Sequence, residues 1–194
     1  MTFDCYVRNG VPDGRRCSCC RLRDHCGRAA EIMGSYFYGK PEVCTWVRKN
    51  FPTTSTILDV GACDGKWRKL LPDYKMDAVE IFEAYALTLT GYRNVFITDV
   101  SALEYDWYDL IIFGDVIEHM TVEKAQAVLE YAKPRCRDMI IAVPWEYEQG
   151  EVDGNIWQAH LQPELTPELF AERYPGFDVL HDPGNGYCYY HKTP

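Results

Sequence analysis

Four acidic residues, Asp59, Glu80, Asp99 and Asp115, lie at or near the ends of successive apolar runs of β character, and Gly61 and Gly65 follow the first of them. A carboxylate at a strand tip offers two acceptor oxygens in one plane, which suits the paired hydroxyls of a ribose. Glu80 lies 21 residues after Asp59, near the end of the second run, where that ribose would be held. A lone acid in such a place is usually a helix cap or a solvated loop residue. Four in succession behind a glycine turn point instead to a nucleoside cofactor. His119, just past the fourth run, and His160, in the loop after the fifth, are the candidate general bases, since an imidazole titrates near neutrality. Each could equally be a capping or hydrogen-bonded structural histidine.

The turn narrows the choice of cofactor. A dinucleotide turn reads G-x-G-x-x-G, whereas Gly61 and Gly65 frame G-x-C-x-G, and Asp64 puts a negative charge where a pyrophosphate would approach the helix. That disfavours NAD and FAD. A cofactor with no phosphate and a positive centre, such as S-adenosylmethionine with its sulfonium, gains from an acidic rim.

The elements that must position these residues are readable in outline. Residues 55–65, STILDVGACDG, form a buried strand and a turn, and Trp67, Leu70 and Leu71 follow at helical spacing. Strands are expected at 76–82, 94–99, 108–115 and 139–144, with a short helix over 84–90. A helix capped by Thr121 carries Ala125, Val128, Leu129 and Ala132, and another opens at Thr166 and Pro167. Upstream, 31–50 reads as helix broken at SYFYGKP, with Pro41 at a helix start and Tyr36, Phe37 and Tyr38 either packing it against the sheet or covering a cofactor. The tail, FDVLHDPGNGYCYYHK, reads as a hairpin. Strands alternating with helical crossovers imply an α/β fold, a doubly wound and mostly parallel sheet.

At this point the residues carry a resemblance. ILDVGACDGKW resembles the first motif of class I S-adenosylmethionine-dependent methyltransferases, VEIF their ribose-binding strand, ITDVSAL their adenine-pocket strand and YDLIIFGDVIEHM their fourth-strand motif. It covers roughly residues 36–191 and implies a seven-stranded Rossmann-like sheet ending in an antiparallel hairpin strand. The sequence departs from the family at Cys63, where the middle glycine usually stands. The resemblance implies that Asp59 and Gly61 hold the methionine end, with Gly65 completing the turn. It also implies that Glu80 takes the ribose hydroxyls, that Asp99 and the Val100 backbone take the adenine, and that Gly114 and Asp115 lie near the amino group and the reacting methyl. The segment 145–163 is the expected substrate loop, and DGNIWQAHL within it resembles that of some small methyltransferases.

Composition bounds the partners. The chain of 194 residues fits one domain plus a small appendage, a methyltransferase domain over 31–194 behind a leader over 1–30. Its net charge of −9 argues against a mainly phosphate-driven grip on nucleic acid. The charge is uneven, because residues 1–28 carry +3 from six Arg and three Asp, leaving −12 for the rest. No apolar run approaches the ~18 residues of a membrane span, and no secretion signal is evident, so a cytoplasmic protein is expected. Five of nine cysteines fall in the leader. Cys17, Cys20 and Cys26 give C-x2-C-x5-C, which with Cys5 or His25 could hold zinc or, on a looser match, an iron-sulfur cluster; a reduced, partly disordered leader is the alternative. The remaining Cys44, Cys63, Cys136 and Cys188 read as small buried hydrophobes. The sequence thus points to methyl transfer onto a small or sugar-like polar acceptor. A nucleic-acid or protein acceptor docked by the basic leader is weakened by the lack of an Asn/Asp-Pro-Pro-Tyr-type motif in DVIEH, and a non-catalytic cofactor-binding scaffold rests on Cys63 alone.

Overall fold

The computed structural model describes residues 38–192, which form one seven-stranded sheet with helices on both faces. In chain order the elements are α1 (Lys40–Asn50), β1 (Thr56–Val60), α2 (Lys66–Leu70), β2 (Lys75–Glu80), α3 (Glu83–Ala86), β3 (Val95–Ile97), β4 (Tyr108–Gly114), α4 (Val122–Ala132), β5 (Cys136–Pro144), α5 (Pro167–Arg173), β6 (Phe177–His181) and β7 (Tyr187–Lys192). The sheet order is β3-β2-β1-β4-β5-β7-β6. Strands β1 to β5 pair in parallel, and β7 runs antiparallel to both β5 and β6, with Ile141 opposite Tyr190. The chain reverses its direction of growth between β1 and β4, so the carboxyl ends of these two central strands open onto a crevice.

Side-chain alternation along the central strands builds two cores. Leu58, Val60, Ile111 and Phe113 point to the face covered by α4 and α5, where Val128, Leu129 and Phe170 are buried. Ile57, Leu110 and Ile112 point to the other face, against Val43 and Val47 of α1, Trp67, and Tyr187 and Tyr189 of β7. Strands covered on both sides need continuous apolar sequence, which is why β1, β4 and β5 stand out in the chain. Cys44, Cys136 and Cys188 are buried among them as small hydrophobes, and Cys63 is half-buried.

Several boundaries differ from the sequence expectation for identifiable reasons. The helix after the glycine turn is only Lys66–Leu70, because Pro72 disfavours helical geometry at Leu71, which adopts φ −123° and ψ 56°. The expected strand over 94–99 shrinks to Val95–Ile97 because the Asp99 carboxylate accepts from the Ser101 N–H and turns the chain into a 3-10 turn, Val100–Ala102. The helix expected over 84–90 is Glu83–Ala86. Pro41 does lie in the first turn of α1, and Thr121 and Thr166 cap α4 and α5 through their hydroxyls. The cysteine leader, including Cys5, Cys17, Cys20 and Cys26, lies outside the described residues, as do Tyr36 and Phe37. Tyr38 is exposed, and its carbonyl accepts from the Tyr189 hydroxyl at 2.5 Å. Among the described residues no helix is long and apolar enough to cross a membrane.

Candidate functional site

The turn after β1 is held by backbone requirements. Gly61 has φ 68°, and a Cβ there would lie 2.5 Å from Val116 Cγ2, so only glycine fits. Cys63 follows at φ 48°, a left-handed conformation that glycine adopts without strain and a residue with a Cβ does not. Its N–H donates to Glu80 Oε2 at 2.8 Å, while the Phe82 N–H donates to Glu80 Oε1 at 2.9 Å. Glu80 is therefore fixed by backbone N–H groups at the tip of β2, where it lines a cavity. Burial raises its pKa against the pull of these N–H groups.

A cavity of about 280 Å³ opens above these strand ends. Gly61, Cys63, Glu80 and Ile81 form one side, Thr98, Asp99, Val100, Thr121 and Lys124 another, and Asp115, His119 and Met120 line it from the end of β4. The loop residues Asn155 to Ala159 and Leu161 complete the wall. Of the expected cofactor residues, Gly61, Glu80, Asp99, Val100 and Asp115 thus meet at one cavity, while Asp59, Gly65 and Gly114 are not on its wall. Asp64, also off the wall, pairs with Lys69 at 3.3 Å.

Asp59 lies under the turn, buried, with Oδ2 accepting from the Tyr92 hydroxyl at 2.6 Å. Its Oδ1 has no hydrogen-bond partner among the described residues. Burial pushes its pKa up to about 7, Glu80 and Asp64 adding to the rise and Tyr92 and Lys40 opposing it. Gly114 leaves room for Trp67, whose Nε1 would be 2.5 Å from an added Cβ. Asp115 stands at φ 58°, with Oδ1 accepting from the Tyr187 hydroxyl at 2.5 Å and Oδ2 3.8 Å from Lys40 Nζ. Lys40 is fully buried, its ammonium 5.0 Å from the Trp67 ring centroid and 5.8 Å from those of Tyr187 and Tyr189. Burial lowers its pKa, with Asp115 and Asp59 pulling the other way.

Asp99 has a structural duty beside any ligand role. Its Oδ1 accepts from both the N–H and the hydroxyl of Ser101, and its Oδ2 from Lys124. Burial works to raise its pKa, but these partners outweigh it and hold the carboxyl below the usual range.

His119 and His160 meet edge to face with ring centroids 4.6 Å apart. His119 Nδ1 lies 3.2 Å from the Ala159 carbonyl and His160 Nδ1 2.7 Å from the Tyr147 carbonyl. A carbonyl can only accept, so both Nδ1 atoms carry the proton and both Nε2 atoms carry a lone pair. Burial, followed by His160, lowers the His119 pKa to about 4, and burial lowers that of His160. His119 is on the cavity wall and His160 is not. The loop that brings His160 here is pinned to the 3-10 turn Ile117–His119: the Leu161 N–H donates to the Glu118 carbonyl at 2.8 Å and Gln162 Nε2 to the Ile117 carbonyl at 2.8 Å.

Comparison with known proteins agrees with this geometry at the level of the fold. No family model matches the chain, and no curated protein matches it in sequence. Solved structures do match. An S-adenosylmethionine-dependent methyltransferase from Clostridium acetobutylicum superposes with a TM-score of 0.60 at 12% identity, covering 80% of this chain and 90% of that one. The Burkholderia thailandensis 1,6-didemethyltoxoflavin-N1-methyltransferase, solved with bound 1,6-didemethyltoxoflavin and S-adenosylhomocysteine, gives 0.55 at 16% identity over 79% and 77%. The pyocyanin biosynthetic protein PhzM gives 0.55 at 12% identity over 77% of this chain, which spans about half (53%) of PhzM's length. The fold is that of the class I S-adenosylmethionine-dependent methyltransferases.

Within this methyltransferase fold, four residues of the site carry no distinguishing signal in the sequence. Lys40 is one, because nothing in GKP distinguishes a buried lysine from a solvated one. Tyr187 and Tyr92, which hold Asp115 and Asp59, are indistinguishable in sequence from packing aromatics. Glu118 is the fourth. It was in view inside DVIEH, three residues after Asp115, but only its burial separates it from a surface acid.

Proposed function

We propose that the protein is an S-adenosylmethionine-dependent methyltransferase acting on a small-molecule acceptor. The observation that carries this reading is Glu80, locked by the Cys63 and Phe82 N–H groups at the tip of β2 and lining the cavity. Such a carboxylate is built to receive the two hydroxyls of a ribose. From there the adenine extends toward Val100 and the remaining lone pair of Asp99 Oδ2. The methionine end extends over Gly61 toward Asp115, with Asp59, Gly65 and Gly114 supporting it from behind. The acids on this side favour a sulfonium cofactor over a pyrophosphate-bearing one.

Methyl transfer is an in-line displacement at carbon, so the protein chiefly aligns the two partners and excludes water. On the acceptor side stand Asp115 and the His119–His160 pair, whose Nε2 lone pairs can take a proton or a cation. The mouth carries Ile156, Trp157 and Leu161 at 61%, 46% and 55% exposure, an apolar lip suited to a flat ring or the C–H face of a sugar. No basic track is evident among the residues lining the cavity, where Lys124 is already paired with Asp99.

Calorimetry with S-adenosylmethionine and with NAD tests the cofactor, and a screen of small hydroxylated and heterocyclic acceptors that reads out S-adenosylhomocysteine tests the reaction. Binding of NAD with no response to S-adenosylmethionine would sink the reading.

A further inference from the structure

Glu118 stands out among the described residues. It is 1% exposed, and neither carboxylate oxygen has a hydrogen-bond partner among the described residues. An ionised carboxylate costs several kcal/mol to bury without compensation. Asp115 adds a second negative charge nearby. The Glu118 backbone N–H and the charge of Lys40 oppose this only in part, and Lys40 is itself engaged with Asp115 and three aromatic rings.

His119 and His160 stand beside this acid. One donor atom from each of Glu118, His119 and His160 lies within 4.8 Å of the other two. Both imidazoles have spent Nδ1–H on backbone carbonyls, of Ala159 and Tyr147, which fixes the ring orientation and leaves Nε2 as the binding atom. Metal-bound histidines are oriented in this way, the outer nitrogen donating to a carbonyl or carboxylate. The Leu161 N–H and the Gln162 side chain pin the loop bearing His160 to the turn bearing Glu118 and His119.

We infer that Glu118, His119 and His160 form a binding site for a divalent first-row transition metal ion. Two imidazole nitrogens and one carboxylate suit zinc, manganese, iron(II) or cobalt, and leave coordination positions open. Ligands about 2.1 Å from a tetrahedral ion stand about 3.4 Å apart, so closing separations of up to 4.8 Å takes a movement of at most about 1.4 Å on binding. His119 lines the cavity, so the open positions face the acceptor end, which favours an acceptor presenting hydroxyl or carboxylate oxygens. That last step rests on the proposed methyltransferase function; ion binding itself does not. The rival explanation is that Glu118 simply holds a proton, in which case a glutamine of the same shape serves equally well.

The test is a Co2+ titration of the reduced full-length chain after removal of metal by a chelator, because thiolate ligation from the leader cysteines gives an intense near-ultraviolet charge-transfer band that a nitrogen and oxygen site lacks. The inference predicts a bound Co2+ ion whose visible d–d absorption appears independently of any thiolate band and whose affinity is weakened about 10- to 100-fold by Glu118→Gln and by His160→Gln. Far-ultraviolet circular dichroism checks that both variants fold, and His160→Gln, at a half-buried loop position, preserves the test if Glu118→Gln does not. Absence of the d–d signal, or a signal unchanged in the folded variants, overturns the site. Calorimetry with S-adenosylmethionine on the same proteins separates the two readings. Residue-dependent Co2+ binding without cofactor binding refutes only the proposed function, and cofactor binding without residue-dependent Co2+ refutes only the metal site.

Discussion

The Cys63 N–H donates to Glu80 Oε2 at 2.8 Å, tying the turn after β1 to the tip of β2. The turn and the acid proposed to hold the ribose are thereby one unit. Glu80→Ala removes the proposed acceptor for the ribose and the acceptor of the Cys63 and Phe82 N–H groups, and a hydrogen bond to a charged group contributes about 1.5–3 kcal/mol. S-adenosylmethionine affinity should fall about 10- to 100-fold by calorimetry. Glu80→Gln, which keeps one acceptor oxygen, should fall less. Unchanged affinity in the alanine variant would refute the ribose assignment.

Cys63 sits at φ 48°, where a residue with a Cβ carries about 1 kcal/mol of strain. Burial, Asp64 and Glu80 push its thiol up to about 12, so the side chain contributes no thiolate chemistry. Cys63→Gly should therefore retain cofactor affinity and lie within about 1 kcal/mol of the parent in stability, the relieved strain offsetting the flexibility gained by the unfolded chain. Cys63→Val, branched at Cβ, should lose about 1–2 kcal/mol and weaken cofactor binding. Equal denaturation midpoints for the glycine and valine variants would contradict this account.

These two residues also mark how far the sequence could be read. Strands such as Leu110–Phe113 are buried on both faces, so local sequence must be apolar there, and the acids that end them are conspicuous. Legibility fails where the decisive neighbour is distant. Burial of Lys40 depends on rings from β7, at the other end of the described chain. The isolation of Glu118 depends on a loop closing over it from after β5. The limits of α2 and β3 were hidden for a local reason: single residues, Pro72 and Asp99, override the apolar pattern.

Asp77 anchors the outer sheet. Its oxygens accept from Arg93 Nε at 3.0 Å and Nη2 at 2.5 Å, from the N–H and side-chain amide of Asn94 at 3.2 and 3.1 Å, and from the Tyr108 hydroxyl at 2.8 Å. Burial works to raise its pKa, but these donors outweigh it and the carboxyl titrates below its usual range. A depressed folded pKa contributes stability that is present above the unfolded carboxylate range and is lost as pH falls through the folded value. Asp77→Ala should cost about 3 kcal/mol at neutral pH, because it strands Tyr108 and Arg93. Asp77→Asn should flatten the acid side of the stability profile. An acid unfolding curve for the asparagine variant parallel to that of the parent would show that Asp77 is not the responsible group.

Asp59 has the opposite sign. Its folded pKa, raised to about 7 chiefly by burial, lies above the ~3.9 of an unfolded aspartate, so the native state binds the extra proton between these values. Stability must therefore decline as pH rises from about 4 to 7 and stay reduced above, by up to about 4 kcal/mol from this group alone. Asp59→Asn is neutral at every pH and can keep its oxygen toward the Tyr92 hydroxyl. The variant should gain thermal stability at pH 8 and gain almost nothing near pH 4. Under the proposed function the parent acid serves the positively charged methionine end of the cofactor, which would draw Asp59 toward its ionised form. Cofactor binding near pH 6.5 should then release a fraction of a proton, seen as a binding enthalpy that varies with the ionisation enthalpy of the buffer. The same titration with Asp59→Asn should show weaker binding and little buffer dependence. If the parent releases no proton, or the variant releases as much, Asp59 does not sense the cofactor, and its burial under the turn is structural alone.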